Sequence, residues 1–181
     1  MAVADEPLQW ALILAAETGL RQGDVLALRW SAYDPTPTEH GPLGWIRCTP
    51  SKSVSHQCPK GRPVAIPVTR RLRALLATIP RRGPIILTGG QGRPWEENAF
   101  RKRWEHVAKK KAGIVDRTFN DLRGTAVTRL SEAGCTTQEI RPITGHTLAS
   151  IDRILERYVA RTDAQAGAAI EKLEKHRGNA G

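Results

Sequence analysis

Two arginines and a histidine stand out in this sequence because each lies where a charged or polar side chain needs a partner or a task. Arg21 lies in Thr-Gly-Leu-Arg-Gln-Gly-Asp, which predicts a tight turn between two apolar helices, and a buried turn is a costly place for a cation. Asn120 and Arg123 are three residues apart at a predicted helix start and therefore share one face. His146 follows Gly145 at a predicted helix junction. Such groups could bind a phosphate and stabilise charge on it.

Tyr158 adds a potential nucleophile on a predicted helix. It lies on the apolar stripe that Ile151 and Ile154 begin, a position that by itself favours a core tyrosine with a hydrogen-bonded hydroxyl. By itself, Arg21 similarly favours a helix-capping arginine paired with Asp24. Phosphoryl transfer needs a nucleophile, cations around the non-bridging oxygens and a proton donor for the leaving oxygen. Arginine suits the second role because its planar fork makes paired hydrogen bonds with phosphate.

The charge of the chain also favours an anionic partner. The net charge is +10, yet residues 1–40 carry −4 and the remaining residues +14. A basic surface attracts polyanions through phosphate contacts and counterion release, and DNA, RNA and an anionic membrane all fit that description. No apolar run approaches the ~20 residues that span a bilayer, and the N-terminus does not resemble a signal peptide. We therefore expect a cytoplasmic protein without a membrane partner.

Helical periodicity and capping signals predict a mainly α-helical domain with one small antiparallel β-sheet, an α+β fold. Residues 45–48 and 64–68 predict the two strands of a hairpin whose connection, residues 53–61, is long and expected to be mobile. Thr118 and Thr136 each precede an acidic residue by three positions, as in the capping boxes that begin helices. The predicted helices cover approximately residues 8–18, 24–30, 70–78, 98–112, 118–134, 136–145, 149–160 and 163–176, with a proline- and glycine-rich loop over 34–44.

The three cysteines do not predict a metal site or a disulfide framework. Cys48, His56 and Cys58 are close in sequence, but their spacing fits no common zinc pattern and no fourth ligand is evident. An odd number of widely spaced cysteines also argues against disulfides. We expect reduced cysteines and no bound metal.

The order of these features resembles the tyrosine recombinase (phage integrase) family over nearly the whole chain. The segment Thr18-Gly-Leu-Arg-Gln-Gly-Asp is similar to the family's first arginine box, Asp121-Leu-Arg-Gly-Thr-Ala-Val-Thr-Arg-Leu to the second, Ile143-Thr-Gly-His to the third, and Ile154-Leu-Glu-Arg-Tyr-Val to the nucleophile helix. Each box is moderately specific, and four in the right order are a strong signal. The resemblance is greatest to integrases of bacterial phages and genomic islands, and it implies the catalytic-domain fold of the family.

The resemblance implies a site-specific DNA recombinase that needs no metal or cofactor. Arg21 and Arg123 would clamp the scissile phosphate and stabilise the transition state, and His146 would hydrogen-bond a phosphate oxygen. Tyr158 would attack the phosphorus, form a 3′-phosphotyrosyl link and release a 5′-hydroxyl. A 5′-hydroxyl of a second strand would then attack that link, which completes strand transfer in DNA integration or excision. Asp24 would buttress the arginines rather than contact DNA.

Two candidates remain for the hairpin lysine that, in the family, protonates the leaving 5′-oxygen. The segment Ile46-Arg-Cys-Thr-Pro-Ser-Lys matches the usual approach to that lysine and favours Lys52. The segment Lys60-Gly-Arg-Pro-Val-Ala-Ile-Pro resembles the usual exit from the turn and makes Lys60 the rival. Extra residues separate the two, and either lysine alone is also typical of a solvated loop side chain that touches the DNA backbone.

Asn120 departs from the family pattern, whose second box normally reads His-x-x-Arg. Asparagine can hydrogen-bond but cannot accept or carry a proton at neutral pH, so we expect a slower enzyme or greater reliance on His146 and Lys52. Two alternatives stay open: a non-catalytic DNA-binding module derived from such an enzyme, and a relaxing enzyme of the type IB topoisomerase kind. Retention of both arginines, His146 and Tyr158 favours the active enzyme.

The two ends of the chain bear on its partners. Family members carry an N-terminal helical domain that closes over double-stranded DNA, whereas seven residues precede the first apolar helix here. We therefore expect one catalytic domain over residues 1–181, without that core-binding half. The helix at 163–176 has one apolar side that could pack in cis or on a neighbouring protomer. The family implies exchange of the segment 163–181 between protomers, in a tetramer on DNA at the bacterial nucleoid.

Overall fold

The structure is a computed structural model that describes residues 4–54, 56, 59–89, 92–158 and 163–178. Its helices are α1 (Glu6–Thr18), α2 (Gln22–Leu26), α3 (Arg70–Thr78), α4 (Glu97–Glu105), α5 (Asp121–Glu132), α6 (Thr137–Thr144), α7 (Leu148–Tyr158) and α8 (Asp163–Gly178), and its strands are β1 (Tyr33–Asp34), β2 (Trp45–Cys48) and β3 (Val64–Pro67). Short 3₁₀ helices cover Trp30–Ala32 and Ser51–Ser53, and a π-helical segment, His106–Lys111, extends α4. The predicted class, mainly α with a small antiparallel sheet, is confirmed.

The sheet has three antiparallel strands in the order β1, β2, β3. Ile46 on β2 pairs with Ile66 on β3, and both side chains are buried, whereas the next pair, Arg47 and Ala65, faces solvent. This alternation is the period-two pattern that predicts the hairpin. The sequence predicts a loop from residue 34 onward, but Tyr33–Asp34 adds a short third strand beside β2. Two residues are too few for an alternating pattern to reveal a strand.

Two hydrophobic clusters form the interior of the described chain. The larger cluster contains residues of α1, α2, α3, α4 and the sheet, and the smaller cluster contains residues of α5, α6 and α7. Helix α5 packs directly on α1 and so connects them. The smaller cluster centres on Val127, Ile140 and Ile151, which are fully buried. The turn between α1 and α2 therefore lies at the boundary between the two clusters.

Capping signals locate most helix ends correctly. Helix α1 ends, as predicted, at Gly19, which adopts the left-handed conformation with φ of 65°. Helix α6 begins with the predicted capping box of Thr136 and Glu139. Helix α5 begins at Asp121, three residues later than the predicted Thr118. The amides of residues 121–123 bond to carbonyls three residues back, which makes this entry a tight 3₁₀-like turn.

Helix α2 ends earlier than the sequence predicts, at Leu26 instead of residue 30. The amide of Ile86 donates to the Leu28 carbonyl, and the amide of Trp30 donates to the Pro84 carbonyl. These bonds draw the chain out of the helix and into an isolated bridge with residues 84–86, a tertiary contact that helical propensity does not anticipate.

Some expectations fall outside the described residues, namely Cys58, part of the 53–61 connection, and residues 159–160 of the predicted helix 149–160. Helix α8 confirms the predicted helix at 163–176. None of the helices in the described part of the chain combines the length and apolar character needed to cross a bilayer.

Candidate active site

The turn that carries Arg21 is held close to α5 and α6. A Cβ atom on Gly19 would lie 3.1 Å from Thr144 Cγ2 and 3.3 Å from the Ala126 Cβ, so a side chain there would crowd both helices. The left-handed backbone of Gly19 independently favours glycine. Arg21 follows in extended conformation, with φ of −70° and ψ of 158°, and leads into α2. The Thr-Gly-Leu-Arg motif thus delivers Arg21 beside two helices that are distant in sequence.

Two side chains of the α5 entry bind this turn on both sides of Arg21. The Nη1 atom of Arg123 donates to the Gly19 carbonyl. The Oδ1 atom of Asn120 accepts the backbone N–H of Gln22 at 3.0 Å. Because Asn120 and Arg123 are three residues apart on one face, they reach both flanks of the turn together.

Arg123 is a buried cation with unused hydrogen-bonding capacity. Its residue is 6% exposed, and its Nη2 atom has no hydrogen-bond partner in the described structure. Burial, and then the positive charge of Arg21, lower the pKa of Arg123 to about 10, whereas Asp24 opposes that shift. Arg123 therefore remains protonated near pH 7. Among the described residues, neither Arg21 nor Arg123 forms an ion pair, which leaves a strongly cationic pair open to an anion.

His146 follows Gly145, the left-handed residue that ends α6. The imidazole Nδ1 is buried and has no hydrogen-bond partner in the described structure. Burial, followed by the charges of Arg123 and Arg21, lowers the pKa of His146 to about 4. The imidazole is therefore neutral near pH 7, and the two arginines act on it electrostatically. The negative charge of an arriving anion would oppose the effect of the two arginines on this pKa.

Asp24 connects this region to the hairpin. Its Oδ1 accepts the backbone N–H of Ser51 at 2.8 Å, while its buried Oδ2 has no hydrogen-bond partner in the described structure. Ser51 begins the 3₁₀ helix that contains Lys52. Burial, followed by the Asp24 charge, raises the pKa of Cys48 to about 11, so that thiol stays protonated near pH 7. The sequence predicts that Asp24 buttresses the arginines; the structure shows its hydrogen bond going to the segment that carries the lysine.

Two adjoining clefts share His146 in their walls. The first, of about 460 Å³, is lined by Arg21, Lys52 and His146 together with Arg62 and Arg141, and no carboxylate is among its described lining residues. Lys52 is exposed at its edge, and Lys60 does not line it. The structure therefore brings Lys52, rather than Lys60, together with Arg21.

The second cleft, of about 530 Å³, is lined by Asn120, Arg123 and His146, with Arg153 and Arg157 from α7. Sequence reasoning misses these two arginines, as well as Arg62 and Arg141 of the first cleft. All four lie in exposed positions, where a charged residue is indistinguishable from an ordinary solvated surface in one sequence.

Tyr158 is the last residue of α7, and its side chain lies outside the described part of the structure. The preceding residue, Arg157, lines the second cleft, as does Ile154 one turn earlier. The backbone thus brings position 158 to the end of a helix that borders Arg123 and His146. Within the described residues, no group of three or more His, Cys, Asp or Glu side chains could hold a metal ion.

Comparisons with known proteins agree with this fold. The family model described as the phage integrase family matches residues 2–165. A shufflon-specific DNA recombinase of Escherichia coli is 30% identical over 167 residues, which cover 91% of this chain and 36% of the relative. The chain thus spans about a third of that curated relative.

Solved structures of low sequence identity share the fold. The Tn1549 transposon integrase, in complex with transposon right end DNA, matches with a TM-score of 0.64 and 18% identity over 91% of this chain and 58% of that chain. A lambda integrase dimer bound to a core site matches with a TM-score of 0.62 and 20% identity, over 86% of this chain and 54% of that chain. The XerA recombinase matches with a TM-score of 0.64 and 18% identity, over 95% of this chain and 59% of that chain.

The fold and the family match together define the class of this protein. It belongs to the phage integrase family, the tyrosine recombinases. The similarity to the family that the four sequence boxes indicate is thereby confirmed, and so is the catalytic-domain fold that it implies.

Proposed function

We propose that this chain is the catalytic domain of a site-specific recombinase that cleaves and rejoins double-stranded DNA. The observation that carries the proposal is the convergence of Arg21, Arg123 and His146 around two unpartnered, buried nitrogen atoms, Nη2 of Arg123 and Nδ1 of His146. Leaving such groups unsatisfied costs on the order of 1–3 kcal/mol each. A phosphate oxygen is an acceptor that would satisfy both, with the proton of the neutral imidazole on Nδ1.

The roles follow from the charge of each group. Arg21 and Arg123 remain cationic at neutral pH and stabilise the negative charge that accumulates on the phosphate in the transition state. His146 enters the reaction as a neutral imidazole and hydrogen-bonds a non-bridging oxygen. Tyr158, at the end of α7, supplies the phenolic oxygen that attacks phosphorus. No metal is needed for charge stabilisation, because these cations supply it.

The cleavage step balances atoms and charge in the following way. A bond forms between the Tyr158 oxygen and phosphorus while the bond between phosphorus and the 5′-oxygen breaks. The phenolic proton of Tyr158 passes to water. Lys52 donates a proton to the leaving 5′-oxygen and regains one from water, so that the O–H bond lost at Tyr158 is replaced by one at the 5′-oxygen. The position of Lys52 in the same cleft as Arg21 supports this role over the rival Lys60. The phosphodiester energy stays in the 3′-phosphotyrosyl link, so a 5′-hydroxyl of another strand rejoins the DNA by the reverse reaction.

We further propose that the chain works as an oligomer on DNA, a tetramer in synapsis, at the bacterial nucleoid. Ile170 and Leu173 of α8 are 59% and 41% exposed. An apolar groove of about 270 Å³, lined by Ile66, Leu130 and Ile143, lies between β3, α5 and α6. We propose that α8 of a neighbouring protomer covers such a groove. A lambda integrase structure is a tetramer bound to a Holliday junction.

The proposal is tested by trapping the covalent intermediate on a nicked suicide DNA substrate. A denaturing gel should show a protein–DNA adduct with the wild-type chain. Arg123→Lys should lower its rate about 100-fold or more, because lysine cannot replace a forked donor at the phosphate. Arg73→Lys makes the same change at an exposed position of α3, outside both clefts and outside the apolar groove, and should retain the rate. Equal rates for the two variants, or no adduct from any chain, would reject the proposal.

A further inference from the structure

Asn120 occupies the position where the family pattern has a histidine, and its side chain is already engaged in the free protein. Its Oδ1 accepts the backbone N–H of Gln22, 98 residues away in sequence, at 3.0 Å. Asn120 also lines the second cleft with Arg123 and His146. The amide of Asn120 therefore has a defined structural partner next to the reacting groups.

The partner of Asn120 lies directly beside Arg21. Gln22 is the first residue of α2, and the first amides of a helix have no partner within the helix itself. The bond therefore fixes the peptide group that joins Arg21 to Gln22. On the other flank, Arg123 holds the Gly19 carbonyl.

We infer that Asn120 is a positioning residue that acts through Arg21. It fastens the turn that carries Arg21 to the start of α5, and so sets the separation between the guanidinium groups of Arg21 and Arg123. Burial, and then the positive charge of Arg21, lower the pKa of Arg123. The two cations therefore repel each other, and the hydrogen bond would hold the Arg21 turn in place against that repulsion. The catalytic consequence rests on the proposed function, whereas the hydrogen bond itself does not.

The chemistry of the amide suits this task. An amide oxygen accepts a hydrogen bond at every pH at which the protein is folded, because it does not titrate. A histidine accepts one only while neutral, and a carboxylate would place a negative charge beside the two arginines. Asparagine gives a tether that neither changes with pH nor neutralises the arginine pair.

The inference is tested by removing the same hydrogen bond from each end. Asn120→Ala removes the acceptor, and Gln22→Pro removes the donor. Proline suits the first helical position, and the extended backbone of Arg21, with ψ of 158°, is the conformation that a following proline requires. Gln22→Ala is the matched control, because it removes the same side chain and its long bond to the Glu97 carbonyl but keeps the amide.

Single-turnover adduct formation on the nicked substrate should reveal one shared effect. Cleavage by Asn120→Ala should be about 3- to 10-fold slower than cleavage by the wild-type chain, the range expected for one hydrogen bond. Cleavage by Gln22→Pro should be slower than cleavage by Gln22→Ala by the same factor. Asn120→Ala together with Gln22→Pro should be no slower than the worse single variant, because both changes remove one interaction. If Asn120→Ala is slow while Gln22→Pro matches Gln22→Ala, Asn120 acts directly on DNA and the inference is wrong.

Amide hydrogen exchange tests the tether without any reaction. The Gln22 amide should be protected in the wild-type chain and in Asn120→Asp, which keeps the acceptor, and should exchange faster in Asn120→Ala. Equal exchange in all three chains would overturn the inference even if cleavage is normal. Differential exchange in a chain that forms no adduct would instead reject the proposed function and leave the tether standing.

Discussion

His146 provides the sharpest quantitative prediction, because its environment opposes the charged imidazole from three sides. Burial, Arg123 and Arg21 lower its pKa from 6.5 to about 4. At about 1.4 kcal/mol for each pH unit, this interval would correspond to ~3 kcal/mol of differential stability for a fully buried ring, and solvent screening of the partly exposed imidazole reduces it to about 1–2 kcal/mol. Above pH ~6.5 the imidazole is neutral in the folded and unfolded chains and contributes nothing. As the pH falls from ~6.5 to ~4, the unfolded chain binds a proton that the folded chain resists, so the free energy of unfolding decreases.

The assay compares urea unfolding of the wild-type chain and His146→Gln at about pH 7 and about pH 4.5. Glutamine retains hydrogen-bonding groups but does not titrate. The wild-type chain should lose about 1–2 kcal/mol more stability than His146→Gln over this interval, and the carboxylates that both chains share cancel in the difference. The pKa of His146, followed by NMR, should rise when a short DNA duplex binds. Parallel stability losses in the two chains, or an imidazole that titrates near 6.5 in the free protein, would refute the electrostatic account of this site.

The remaining predictions concern the lysine, the buried arginine and the acid that joins hairpin to turn. Lys52→Ala should slow cleavage about 100-fold or more. A sulfur atom in place of the 5′-bridging oxygen of the DNA should restore the rate, because a thiolate leaves without a proton. If Lys60→Ala shows this loss and rescue instead, Lys60 is the proton donor. Arg123→Met should stabilise the free chain by about 1–2 kcal/mol, because it removes a buried cation at the cost of one hydrogen bond. Low-millimolar sulfate should raise the melting temperature of the wild-type chain more than that of Arg123→Met. An Arg123→Met chain that melts below the wild-type chain without sulfate would contradict the predicted stabilisation. Asp24→Ala should speed hydrogen exchange at the Ser51 amide and slow cleavage. Asp24→Asn keeps an accepting oxygen and should preserve the protection of that amide. Equal exchange in both variants would show that the side chain of Asp24 does not hold the hairpin.

Local signals in the sequence account for much of this fold. The left-handed end of α1 at Gly19 and the capping box of Thr136 and Glu139 both depend on residues within one turn of each other. Both helix ends can therefore be predicted from a short segment of sequence. The early end of α2 cannot be predicted in this way, because it results from hydrogen bonds with residues 84–86. Helix propensity carries no information about such a distant partner.

The candidate site divides in the same way. The order of Arg21, Arg123 and His146 along the chain is sufficient to predict a phosphate-binding cluster, since the family resemblance is a property of the sequence. The hydrogen bond from Gln22 to Asn120 joins residues 98 positions apart, and no periodicity or motif indicates it. Sequence reasoning treats Asn120 as a residue that can hydrogen-bond but cannot carry the proton that a histidine would, and the structure shows its Oδ1 accepting the Gln22 amide.

The central claim is that Tyr158 is the nucleophile, and the chain offers its own control because it contains two tyrosines. The other, Tyr33, lies on the short strand β1. The decisive measurement is adduct formation on the nicked suicide substrate by Tyr158→Phe and Tyr33→Phe, with the attachment site in the wild-type chain located by mass spectrometry. The account predicts no adduct from Tyr158→Phe, a normal adduct from Tyr33→Phe, and a nucleotide mass on the peptide that contains Tyr158. An adduct that survives Tyr158→Phe would contradict it.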